Sequence, residues 1–212
     1  MIPLSSSTYL GVDVLDGPSD VEGLLGDDPS RDVSREDPGP GLARLDAHVV
    51  APRYRRTLRL WAEDAAERAD LIGWLDARRG RALPFWLPSW DKDLTLGQAY
   101  ETAHGITIQV LGSSYATGIF PAGPSRRHVV LRMPSGLLCY RRVESATEFE
   151  PGAGNEELDL DSALPEDVPA GTALSFLRYV RLDADEARLV FTPTGIAACE
   201  LPIVELPEEC PA

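Results

Sequence analysis

Lysine is nearly missing from this chain: of its twenty Lys and Arg residues, only Lys92 is a lysine. Against those twenty stand 34 Asp and Glu, for a net charge of -14. Phosphate affinity comes mainly from basic side chains, so this balance argues against specific nucleic-acid binding. The shortage of lysine itself fits a GC-rich coding bias better than a mechanism. Cysteine is scarce too. Cys139, Cys199 and Cys210 are odd in number and far apart, which fits reduced thiols better than a secreted disulfide framework. The three histidines, His48, His104 and His128, have no Cys, His or Glu at metal-ligand spacing, so each reads as structural or surface. No run approaches the roughly 18 apolar residues of a membrane span. The opening MIPLSSSTYLGVDVLDG has none of the basic residues that begin a secretory signal. A protein made in a cytoplasm, with no membrane partner, is expected.

Catalytic signatures are missing as well. No Gly-x-Ser-x-Gly occurs, and the Ser113-Ser114 pair has no assignable base. Gly112, Gly118 and Gly123 lie in turns with no helix after them, so no phosphate cradle is formed. The acidic run Asn155 to Asp161 lacks the spaced ligands and central glycine of an EF-hand. With 34 acids, close carboxylate pairs arise by chance and name no glycosidase. The expectation is no enzyme, no cofactor and no metal.

What is present is concentrated in Tyr54 to Leu96. Residues Arg55 to Trp61 alternate, with Tyr54, Leu58 and Leu60 on one side and Arg55, Thr57 and Arg59 on the other, the period of a half-buried strand. Helical spacing follows in Ala65, Ala69, Leu71, Ile72 and Leu75, predicting a helix over 62–79. Glu63 and Asp64 suit its positive end, Arg78 and Arg79 its negative end, and Gly80 a left-handed stop. Beyond lies a Pro-bounded aromatic strand, Leu83 to Trp90, carrying Phe85, Trp86 and Trp90. Such a strip suits packing or assembly better than chemistry. The cluster Arg53, Arg55, Arg56 and Arg59 is expected to pair with carboxylates of its own chain or a neighbour.

Elsewhere, Asp13 to Asp46 holds ten acids and three arginines among Gly-Pro breaks. It reads as an extended acidic arm, giving an N-terminal segment 1–46, a β-rich core 47–206 and a tail 207–212. Within the core, a strand is expected around Ile106 to Leu111. A hairpin joins His128–Met133 to Leu137–Val143 through Gly136, and a second joins Leu174–Leu182 to Arg188–Phe191. Glu148 to Pro169 reads as an acidic loop, and Ala197 to Leu206 as a last strand with an edge or bulge at Pro202. Turn signals about every ten residues predict a mainly β fold, sandwich or barrel-like, with one amphipathic α-helix packed on it.

Arg56, Arg59, Trp61, the helix end Ala77-Arg78-Arg79-Gly80-Arg81, the strand Pro84-Phe85-Trp86-Leu87-Pro88 and the acids Asp91 and Asp93 together form a recognisable pattern. It resembles the distal tail and tail-tip structural proteins of long-tailed, siphovirus-type bacteriophages and of gene transfer agents, over about a fifth of the chain. The resemblance implies a β-sandwich with a helix and a ring of copies, six favoured and three possible, that joins the tail tube protein to the tail-tip hub or baseplate. The tape measure protein is a further partner it suggests. It places the protein in the virion, at the tail tip, after assembly in the host cytoplasm. On this reading Arg56, Arg59, Arg78, Arg79 and Arg81 supply polar contacts of an assembly interface, Phe85, Trp86 and Trp90 supply apolar burial, and Gly80 fixes the turn. The acidic arm and the Trp86/Trp90 pairing have no counterpart in the pattern, so the ring protein and a neighbouring tip component both stay open. A different class of reading is a carbohydrate-binding module using Trp86, Trp90 and the Gly112–Gly123 loop at the host surface. A third is a cell-wall hydrolase with an unassigned carboxylate pair.

Overall fold

Strands far outnumber helices among the described residues, so the protein is mostly β. The computed structural model describes residues 7–16, 28–30, 33–36, 44–47, 53–112, 114–149, 154–192 and 196–211. In chain order the elements are β1 (Ser7–Tyr9), β2 (Val12–Val14), β3 (Asp28–Ser30), β4 (Val33–Glu36), β5 (Arg44–Ala47) and β6 (Arg53–Ala62). Next come α1 (Ala65–Arg78), β7 (Phe85–Pro88), β8 (Leu94–Thr95), β9 (Thr107–Leu111), β10 (His128–Arg132), β11 (Leu138–Phe149) and β12 (Asn155–Leu160). The last three are β13 (Ala173–Leu182), β14 (Leu189–Phe191) and β15 (Ala197–Glu205). The chain divides into two compact units, one of 1–6, 15–85 and 179–212, the other of 7–14 and 86–178. β1 and β2 belong to the second of these units. Of the rest of the expected arm, β3 pairs with β6 and β4 pairs with β5. Leu15 and Asp16 are buried, and its remaining positions lie outside the described residues.

In the first unit the alternation of β6 becomes alternating burial. Arg56, Leu58, Leu60 and Ala62 face inward, while Arg55, Thr57, Arg59 and Trp61 face solvent. Antiparallel to β6 runs β15, setting Leu58 against Leu201 and Leu60 against Cys199. β14 and the end of β13 both lie along the far side of β15. The expected hairpin between β13 and β14 therefore does not form: each pairs with β15 instead. Pro202 falls between the residues of β15 that pair with β14 and those that pair with β13. A residue with no N–H is tolerated in that gap, and its carbonyl accepts the Asp183 N–H at 2.7 Å.

α1 is shorter than the 62–79 expected, because Ala62 completes β6 and Asp64 caps the helix. The Asp64 carboxylate accepts the N–H groups of Ala66 and Glu67, each at 2.9 Å, satisfying two of the free donors of the first turn. The buried stripe is Leu71, Trp74 and Arg78; Ala65, Ala69 and Ile72 are exposed. At 100° per residue these two sets lie on opposite faces, and the larger apolar area of Trp74 decides which one packs. Its ring meets Phe85 edge-on at 5.1 Å. At the other end the chain turns left-handed at Arg79 (φ 51°) before Gly80 (φ 62°), so the stop begins one residue earlier than expected.

In the second unit the paired strands run β1-β2-β7-β13-β10-β11-β12-β9. β8 also pairs with β13, and Leu96 just after β8 bridges to Val110 of β9, so the path from β13 through β9 returns to β13. Inside that path Leu94, Ile108, Val110, Tyr115, Val129, Leu131, Leu158 and Leu174 form the core. The β10–β11 hairpin is as expected, with Gly136 at φ 90°. The expected acidic loop over 148–169 is a correction: β11 runs through Phe149, and 155–160 is strand β12. Its acids obey the period of two, with Glu156, Leu158 and Leu160 inward and Glu157 and Asp159 outward. The buried Glu156 carboxylate accepts the N–H groups of Tyr115 and Ala116 at 3.0 and 3.2 Å, holding a tightly turned segment onto the strand. Such charge-assisted bonds let a carboxylate sit in the core.

Candidate functional site

Among the described residues, the large apolar side chains that reach solvent on the first unit's sheet were placed there by register. Trp61 of β6 stands opposite Ala198 of β15, and Ala198 stands opposite Val190 of β14. The three make one row across three strands, with Trp61 36% and Val190 51% exposed. In the next row Arg59 Nε meets Glu200 Oε1 at 3.1 Å. Phe191, 58% exposed, lies on the other face of β14 with the Arg68 guanidinium 5.8 Å from its ring centroid. Among the described residues β14 pairs on one side only, so its outer edge is open. An open edge beside exposed apolar side chains is the kind of surface that proteins either cover or use for association.

The residues expected to form an interface divide in two. Phe85 and Trp86 are wholly buried within the chain, and Arg56 and Arg78 are buried as well. These four have no area left for a partner, which corrects their expected role. Arg78 works inside the fold: its Nη1 donates to the Pro84 carbonyl at 3.3 Å, and its guanidinium lies 5.6 Å from the Trp74 ring centroid. Arg59, Arg79 and Arg81 are exposed. Arg81 holds Asp185 through its backbone N–H (3.2 Å) and loosely through Nε (3.9 Å). Gly80 is required twice over, by its positive φ and because an added Cβ would stand 2.7 Å from Asp185 Oδ1. Arg79, Gly80 and Asp185 border a concavity of about 300 Å³ floored by Ile72, Leu75 and Leu189. Arg53 and Arg55 pair within the chain, with Glu208 (3.8 Å) and Asp183 (3.5 Å).

Trp90 is half-buried at a left-handed φ of 59°. The turn around it is built by its neighbours. Asp93 accepts the Phe176 N–H at 2.7 Å and the Ser89 hydroxyl, and Ser175 Oγ donates to the Asp91 carbonyl at 2.7 Å. Among the described residues the buried Trp90 indole N–H has no hydrogen-bond partner. Missed by the sequence reading were Trp61, Val190 and Phe191. The signal was there: Trp61 shares the parity of Arg55, Thr57 and Arg59 and so had to face solvent with them.

An aromatic cluster occupies the second unit. Tyr9 packs 5.4 Å from Trp86 and 5.7 Å from Tyr140, and the Trp86 indole donates to the Tyr9 carbonyl at 2.9 Å. The Tyr9 hydroxyl and His128 Nδ1 share a hydrogen bond of 3.1 Å. Burial, reinforced by the Arg142 charge, lowers the His128 pKa to about 4. Unfolding therefore takes up a proton between pH 4 and the ordinary value of 6.5. The neutral ring's contribution is complete above about pH 6.5 and is lost as pH falls toward 4. Urea midpoints should drop between pH 7 and pH 5, and His128→Gln should flatten that drop; an equal drop in both proteins would remove His128 from the account.

Among the described residues no group of three or more His, Cys, Asp or Glu is placed to hold a metal ion, and no helix is long and apolar enough to cross a membrane. His48 and Ser113 lie outside the described residues. Comparison with protein-family models gives no match, and neither does comparison with curated proteins.

Proposed function

We propose that this chain is a non-enzymatic structural virion protein of a long-tailed bacteriophage, a ring-forming adaptor between the tail tube and the tail-tip hub. The observation that carries this reading is the Trp61–Ala198–Val190 row beside the open edge of β14. A ring needs heterologous contacts, in which one patch of a subunit meets a different patch of the next. The row and edge supply an apolar patch, and the exposed Arg79 and the Arg59–Glu200 pair supply a polar rim. The resemblance carried by Arg59, Trp61, the Arg78-to-Arg81 turn and the Phe85-Trp86 strand supports the same reading. So does the closed path of strands in the second unit, which we read as a small barrel. Six copies are favoured and three are possible, with the tail tube protein, the tip hub and the tape measure protein as neighbours in the virion. The carbohydrate platform at Trp86 and Trp90 has less support, because Trp86 presents no face to solvent.

Native mass by light scattering at several concentrations, with negative-stain imaging, tests the proposal. A closed ring is expected in the parent, and Trp61→Asp with Val190→Asp should leave monomers with an unchanged melting temperature. A parent that stays monomeric at every concentration, alone and with tail tube protein, overturns the reading.

A further inference from the structure

The second unit holds a cavity of about 270 Å³ that the assembly reading does not use. Leu96, Tyr100 and Ile108 lie beneath it, almost wholly buried, and Gln98, His104, Gln109 and Glu157 bring two amides, an imidazole and a carboxylate to its lining. Register explains two of these: Gln109 of β9 and Glu157 of β12 are direct cross-strand partners, so their side chains share a face. His104 is fixed by the short helical turn Thr102–His104. Its Nδ1 accepts the Glu101 N–H at 3.3 Å, which leaves Nε2 to carry the proton of the neutral ring. The same turn is tied down where the Thr102 N–H donates to Asp167 at 2.8 Å.

Neighbouring polar groups are already engaged. The Tyr100 hydroxyl donates to the Gly105 carbonyl (2.6 Å) and accepts the Leu164 N–H (3.1 Å). Asp159, one row along from Glu157, accepts the hydroxyls of Ser145 (2.6 Å) and Thr107 (2.7 Å), and these bonds hold its pKa below the usual carboxylate range. Among the described residues, by contrast, the side chains of Gln98, Gln109 and Glu157 make no hydrogen bond or ion pair. Three uncommitted polar side chains and a fixed imidazole N–H converge on one concavity, the few placed polar groups with which a small-molecule site orients its ligand.

The lining also says what would fit. It contains no Arg or Lys, and its one charge is the Glu157 carboxylate, so phosphates and other anions are repelled. Amides offer a donor and an acceptor on one planar group, and a carboxylate accepts from two adjacent hydroxyls. We propose that this cavity binds a single sugar ring, neutral or amine-bearing, with Glu157 and Gln109 gripping adjacent hydroxyl or amino groups and His104 donating from Nε2.

Saturation-transfer NMR and calorimetric titration of the intact protein with glucose, N-acetylglucosamine, glucosamine and glucuronate test it. Saturable binding of at least one neutral or amino sugar is expected, with glucuronate at least tenfold weaker. Gln109→Ala and Gln98→Ala should each weaken binding several-fold at unchanged melting temperature. Glu157→Gln should abolish any preference for glucosamine over glucose. Absence of saturable binding by all four sugars overturns the proposal, as does binding that survives in a Gln109→Ala, Glu157→Ala double variant. Neither failure touches the assembly reading, whose test is the native mass.

Discussion

Replacing Trp86 by alanine is expected to lower the unfolding free energy by about 3–5 kcal/mol, the usual cost of deleting a wholly buried large aromatic. The side chain is fully enclosed, with His128 at 4.7 Å and Tyr9 at 5.4 Å between ring centroids. Three losses combine. The cavity left behind forfeits dispersion contacts, the Tyr9 carbonyl loses the indole donor, and the β1–β2 hairpin loses what it rests on. Trp86→Phe separates them, since it removes the N–H and leaves a smaller void while keeping most of the apolar area, so it should cost less than half as much. Urea denaturation followed by far-UV circular dichroism reads both. A Trp86→Ala protein within about 1 kcal/mol of the parent would contradict the burial itself.

Gly112→Ala is the second large effect, for a different reason. An ideal Cβ on Gly112 would lie 2.0 Å from the Gly154 carbonyl oxygen and 2.8 Å from the Gly154 Cα. Backbone cannot swing aside as the end of a side chain can. The residues involved also adjoin the Leu111–Asn155 pair that begins the β9–β12 ladder. Overpacking usually costs about 1–3 kcal/mol, and here the upper end is expected because main chain must move. Gly118→Ala is the control: nothing lies within 4 Å of its added Cβ, and the change should be nearly neutral. Equal melting temperatures for the two variants would show that the strands do not approach so closely.

The elements legible in the sequence were those whose signals are local. Arg55 to Trp61 alternates in residue type and in burial, and the end of α1 was legible to within one residue, with the left-handed stop at Arg79 followed by Gly80. Gly136 turns its hairpin. What was not legible depends on partners far along the chain. β13 and β14 are close in sequence and look like a hairpin, yet both are claimed by β15. The run 155–160 looks like a solvated loop because its charges mask the period of two. Glu156 turns inward only because the N–H groups of Tyr115 and Ala116, some forty residues earlier, are there to receive it. For the candidate surface, large aromatics marked importance but not direction. Phe85 and Trp86 were spent on the fold, while Trp61, on the polar parity of its strand, was left outside.

The order in which the two units draw on the chain also constrains how it can be made. Residues of the first unit come from both ends of the sequence around a middle given over to the second. β6 is synthesised well before β15, the strand that joins it to β14 and β13. Until then Leu58 and Leu60 have no cross-strand neighbours in Leu201 and Cys199. Pairings this distant form slowly, because the intervening loop must close before any contact rewards it. The second unit needs nothing beyond residue 178, so it can fold on the emerging chain. The first unit, with its exposed row and open edge, then takes shape after the second, once β15 has been made.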